Sequence, residues 1–199
     1  MKKLLFTLLF GAILSAYAQI EVKINLVMTA LGMGDISGEY LLSETFGAEL
    51  SLQPYFGKSY GFSNPANYVG KQSGFAEKIR AKYYYSPYNG GDRQYVDIFA
   101  INLSTKTTRN YLQTINNEDV QFTETYKLSY TGIGFEYGFK NLLDSGIFFE
   151  YALGLGVFIS SEATISSDPK DPSPYSYNAL EDVPVFFSGK FAIGYRFGE

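Results

Sequence analysis

Residues 146–160 alternate in character with a period of two. Ile147, Phe149, Tyr151, Leu153, Leu155, Val157 and Ile159 are all bulky and apolar. Between them lie Gly146, Glu150, Ala152, Gly154, Gly156 and Ser160, mostly small with a single charge, and Phe148 and Phe158. A helix would mix the two sets on every face, so the pattern predicts a strand, far longer than the usual five or six residues. The last part of the chain repeats it. Val183, Val185, Phe187, Phe191, Ile193, Tyr195 and Phe197 alternate with Ser188, Lys190, Ala192, Gly194 and Arg196. So does 132–139, where Ile133, Phe135, Tyr137 and Phe139 oppose Gly132, Gly134, Glu136 and Gly138.

Alternation does not by itself say which face points inward. A soluble lipocalin-like barrel would carry its apolar face inside. Here the other face is mainly glycine and alanine with sparse charges, a poor surface for water. An eight-stranded barrel has an interior just wide enough for side chains to fill, which suits small residues and a few ions. Bulky apolar residues at every second position suit contact with lipid. The reading adopted is an all-β fold: an eight-stranded, antiparallel, up-and-down transmembrane β-barrel. Strands are expected near 21–31, 36–42, 45–56, 73–86, 94–103, 122–139, 145–160 and 183–197. The fifth is the least distinct, because its two faces do not separate. Links at 43–44, 87–93 and 140–144 are short, whereas those at 57–72, 104–121 and 161–182 are long and polar. Such barrels have short periplasmic turns and longer external loops. The first external link, 32–35, breaks that rule by being short.

Composition agrees with strands and turns: 18% of residues are aromatic, with 18 Tyr, 17 Phe and 20 Gly. The net charge of −4 gives no sign of a nucleic-acid partner. The start of the chain, MKKLLFTLLFGAILSAYAQ, has the form of a signal peptide. Lys2 and Lys3 precede an apolar core too short to span a membrane, and Ala16-Tyr17-Ala18 is a peptidase site. The expected domains are a signal peptide over 1–18, cleaved near Ala18, and a barrel over 19–199.

By parity, Glu39, Glu49, Arg80, Lys82, Glu136, Glu150, Lys190 and Arg196 face the lumen. Lone charges there would be costly, so paired acids and bases are expected. Two readings stay open for this lumen charge network: a structural plug, which is favoured, and a gate in a small pore. Tyr83, Tyr85, Tyr195 and Phe197 face outward near the periplasmic rim, as an aromatic girdle. Asp168, Asp171, Glu181 and Asp182 make the last long loop acidic, without the spacing of a calcium loop.

The chain has no cysteine and no histidine. Disulfides, thiol catalysis and a Cys/His zinc site are excluded. Serine or acid hydrolysis would normally recruit a histidine base, so no catalysis is expected and no catalytic, cofactor or metal residue is assigned.

With the Ala-Tyr-Ala signal end before Gln19, the eight amphipathic segments and the terminal GKFAIGYRFGE, the chain resembles small outer-membrane β-barrels. The likeness is to the uncharacterised barrel families of Bacteroidota, and more loosely to the OmpA/OmpX type. It implies an outer-membrane protein of a Gram-negative bacterium with no peptidoglycan-binding domain following the barrel. It also implies that Phe197 is the terminal aromatic read by the barrel-assembly machinery; Gly198 and Glu199 follow it. The expected partners are outer-membrane lipid, lipopolysaccharide and the assembly machinery, and a monomer is expected. The expected role is structural, or surface interaction through long external loops. The alternatives are a small gated pore and a soluble periplasmic lipocalin-like lipid binder.

Overall fold

A computed structural model describes residues 19–30, 33–55, 69–115, 118–166 and 185–198. The expected signal peptide over 1–18 and the acidic 168–182 stretch lie outside these. Eight strands form one closed antiparallel barrel in sequence order. They are β1 (Gln19–Asn25), β2 (Ile36–Leu41), β3 (Phe46–Tyr55), β4 (Val69–Tyr84), β5 (Arg93–Ile115), β6 (Glu118–Leu142), β7 (Ile147–Ser166) and β8 (Val185–Phe197). A five-residue helix, α1 (Leu26–Ala30), follows β1.

Closure staggers the strands. The register row through Ile20, Tyr40, Ala48, Ala81, Ile98, Phe135 and Leu155 reaches β8 at Phe187, whereas Ile20 itself pairs with Phe197. That offset is the shear that a tilted barrel requires. The alternation resolves as expected: Leu153, Phe191 and Ile193 point outward, with Leu153 76% exposed, while Glu150 and Lys190 are buried. An apolar belt of this extent, from Ile20 on β1 round to Phe187 on β8, is a surface made for lipid rather than water.

Three short turns and both strand termini share one end, here called the base. Tyr83, Tyr85, Tyr195 and Phe197 are outward-facing there. The 85–92 turn folds under the base mouth. Asp92 accepts hydrogen bonds from the Tyr88 and Asn89 amides at 2.6 and 3.0 Å. Gly91 sits at φ +55°, and a Cβ there would lie 2.5 Å from Leu41. Only glycine allows both that backbone and that approach.

At the opposite end, the loop end, β4 starts four residues earlier and β7 runs six residues further than expected, and two departures are larger. The polar stretch 104–121 is not a loop. β5 and β6 run through it as a hairpin, paired from Arg93↔Lys140 to Ile115↔Glu118. Among the described residues it outgrows its flanks, with β4 paired as far as Asn110 and β7 as far as Thr125. The first strand, by contrast, stops at Asn25 rather than 31. Asn25 accepts from the Val27 amide at 3.2 Å, and its carbonyl accepts from Thr29 Oγ1 at 2.8 Å. The side chain thus caps α1, and the chain turns off the sheet. The wall is therefore tall at β5–β6 and low at β1–β2.

Candidate functional site: the charge-filled lumen

Parity on the strands sends one charge after another into the barrel, and the narrow bore brings them together. Nearest the base, Arg196 donates to Glu21 Oε1 from Nε and Nη2 at 2.8 and 2.6 Å. Its guanidinium also reaches the carbonyls of Asn89, Gly90 and Gly91 at 2.9, 2.7 and 3.0 Å. One side chain of β8 thereby holds both β1 and the turn beneath the mouth. Lys140 donates to Glu21, Glu39 and the Tyr84 hydroxyl at 2.5, 3.0 and 2.6 Å.

Above this lies the densest layer. Carboxylate oxygens of Glu39, Glu49 and Glu150 fall within 4.8 Å of one another. Two ammonium groups are wedged among them. Lys23 lies 2.8, 2.7 and 2.5 Å from Glu39, Glu49 and Glu150. Lys82 lies 2.7, 2.5 and 2.8 Å from the same three. Lys190 adds contacts to Glu49 and Glu150 at 3.3 and 3.0 Å, and the Tyr95 hydroxyl donates to Glu150 at 2.5 Å. The geometry of the three carboxylates would suit a metal ion, but their oxygens are already held by lysines. The set fits an internal salt lattice instead.

The third layer is looser. Arg80 donates to Glu49 at 2.6 Å, while its Nε stands 3.6 Å from Glu136, too far for a hydrogen bond. Lys78 bonds Glu136, reaches Ser188 Oγ at 2.6 Å, and sits 3.7 Å above the Phe99 ring centroid. Four buried atoms here have no hydrogen-bond partner: both Asp97 oxygens, Glu136 Oε2 and Arg80 Nε. Arg80 and Glu136 are thus held here by charge at 3.6 Å rather than by a hydrogen bond. Glycines make space above this layer. Phe99 lies where a Cβ on Gly134 would be, 2.3 Å from its Cζ, and Phe186 stands likewise over Gly156. Phe186 stacks on Phe158 with ring centroids 4.5 Å apart, and Phe158 meets Tyr130 at 5.2 Å.

Glu39, Glu49, Arg80, Lys82, Glu136, Glu150, Lys190 and Arg196 thus all point into the lumen, buried and ion-paired. Sequence parity missed Glu21, Lys23, Lys78, Asp97 and Lys140, which belong to the same cluster. Phe197 sits outward at the base, 52% exposed, its ring 4.8 Å from that of Tyr195. Chemically, the first two layers leave no wet path. Every carboxylate in them is held by at least two cations, and the side chains of Glu21, Lys23, Glu39, Glu49, Lys82, Lys140 and Glu150 are fully shielded from solvent.

No protein-family model matches the chain, and no curated protein sequence matches it significantly. Two solved structures resemble the fold. One is a major outer membrane protein from Thermus thermophilus, 12% identical, with a TM-score of 0.52 over 90% of this chain and 99% of that one. The other is CarO of Acinetobacter baumannii, 13% identical, with a TM-score of 0.49 over 90% and 96%. At such identity the first likeness speaks for architecture: the chain has the fold of an outer-membrane β-barrel.

Proposed function

We propose that the protein is a monomeric outer-membrane barrel of a Gram-negative bacterium, akin to the small barrels of Bacteroidota. Its role is structural or surface-interacting, not catalytic. One observation carries this reading. The lumen is stopped by an ion-paired layer in which Lys23 and Lys82 each engage Glu39, Glu49 and Glu150. Breaking such a buried set to pass solute would strand charges at several kcal/mol each, so the lattice acts as a plug. The outward apolar belt supports residence in lipid. The β5–β6 hairpin supports a surface contact, because among the described residues it extends past β4 and β7 and its outer positions, such as Lys106, Thr123 and Lys127, are polar and exposed. Lipopolysaccharide and external partners would be met at this end. Phe197 is assigned as the assembly signal and Ala18 as the cleavage site.

Planar-bilayer recording of the refolded mature chain tests the plug. No unitary conductance is expected, and steady ohmic steps would overturn it. A second reading, a gated pore, draws on the unpaired atoms of Asp97, Glu136 and Arg80 above the plug. It requires that neutralising Glu150 and Lys82 together opens conductance. Release of the native protein by osmotic shock without detergent would end the membrane reading.

A further inference from the structure

We propose that the loop end of the barrel admits the acyl chain of a bilayer lipid sideways, between β8 and the β1–β2 hairpin, with α1 as its cover and the stacked Phe186 and Phe158 as its seat. This rests on the membrane reading above.

The argument starts from strand length. A membrane strand needs about 9–11 residues. β1 has seven and β2 has six. At a rise of about 3.3 Å per residue and a tilt of about 40°, seven residues climb roughly 18 Å, short of an apolar band about 25 Å tall. β8, with thirteen residues, spans the band in full. β1 covers β8 only from Phe197 to Ala192. Above that point, residues 185–191 pair with β7 on one side and, among the described residues, with no strand on the other. This stretch still belongs to the lipid-facing belt, since Val185 and Phe187 point outward and Phe187 is 88% exposed. A bare sheet edge does not survive in hydrocarbon, so something must cover it.

α1 occupies that place. Its attachment to β8 runs through Asn25, whose Oδ1 accepts from the Phe191 amide at 3.3 Å. The cover is lightly held. Five residues are too few for a helix that stands unaided, none of them is buried, and Leu26 and Val27 are 40% and 42% exposed. Just inside the gap, Phe186 and Phe158 stack face to face and are only half-buried, whereas Phe99 deeper in is 4% exposed. The floor beneath is the ion lattice. An apolar entrance at membrane depth, an aromatic platform behind it and a sealed floor together fit a hydrocarbon chain whose headgroup stays outside.

The chain has no tryptophan, so single-Trp reporters are unambiguous. Phe187→Trp, Phe186→Trp and Phe99→Trp variants are refolded into vesicles of phosphatidylcholine brominated on its acyl chains. Phe187→Trp should lose most of its emission, Phe186→Trp at least half as much, and Phe99→Trp almost none. Quenching of Phe186→Trp no greater than that of Phe99→Trp, with Phe187→Trp quenched, overturns the proposal. So does quenching of Phe186→Trp by aqueous acrylamide but not by bromolipid, which would mean that the space opens to water. An unquenched Phe187→Trp sinks the membrane reading instead. Adding Thr29→Pro to unwind α1 should raise quenching at Phe186→Trp further; an unchanged value removes α1 as the cover. If Phe186→Trp fails to show heat-modifiable mobility, Phe158→Trp replaces it with the same criteria.

Discussion

The base half and the loop-end half of this lumen are filled on different principles. At the base every charge is answered: Glu39 alone is met by Lys23, Lys82 and Lys140. One layer up Asp97 is just as hidden, 2% exposed, yet neither of its oxygens has a hydrogen-bond partner. Both groups lie on inward-facing strand positions of the same barrel. The difference comes from what the neighbouring strands supply. At the base, β1, β2, β3, β4, β7 and β8 all deliver side chains to one point. Higher up, β1 and β2 have ended, and glycines on β6 and β7 give their space to aromatic rings. A narrow barrel can therefore be ionic in one layer and aromatic in the next.

The largest test of this contrast is at the base. Glu150→Leu strips a partner from Lys23, Lys82 and Lys190 together and should cost about 3–5 kcal/mol, the usual penalty for stranding buried ions. The loss would appear as a lower urea midpoint for the heat-modifiable folded band. An unshifted midpoint would mean that the lattice is not what holds the base. Next comes the outer face at mid-height. Leu153→Arg should cost about 2–4 kcal/mol in bilayers. If its penalty is no greater in lipid than in a soluble amphipol, the belt does not face hydrocarbon. Arg196→Ala should cost somewhat less, about 1.5–3 kcal/mol for its charged hydrogen bonds. It should also make the 85–92 turn sensitive to protease while the strands stay protected; an uncut turn would show that other contacts suffice. Smallest is Asp97→Asn, which breaks no protein hydrogen bond and should move the midpoint by less than about 0.5 kcal/mol. A loss comparable to that of Glu150→Leu would erase the contrast between the halves.

The sequence is legible where one face of a strand meets lipid and the other meets the lumen. That condition writes the period of two, and it identified β7, β8 and the base half of β6 together with their inward Glu136, Glu150, Lys190 and Arg196. The same rule reads Glu21, Lys23 and Asn25 against Ile20, Val22 and Ile24, and Lys78 beside Arg80 and Lys82. Lys140 falls in the expected 140–144 link, whereas β6 continues to Leu142. Asp97 carries no parity signal because Val96, Ile98, Tyr95 and Phe99 are apolar on both faces of β5. The β5–β6 extension could not be read this way. Its outward residues there, such as Ser104, Lys106, Thr123 and Lys127, are polar, so they do not stand out as an apolar face against buried Thr105, Phe122, Glu124 and Tyr126. The stop at Asn25 was equally silent, since Leu26, Val27 and Met28 continue the apolar run. It is set by the Asn25 side chain, which caps α1.

Arg196 joins events that in most proteins are separate. It sits one residue from the end of β8, yet it grips β1 through Glu21 and the 85–92 turn through three carbonyls. Sealing the mouth and zipping the cylinder are consequently a single act, carried by one guanidinium.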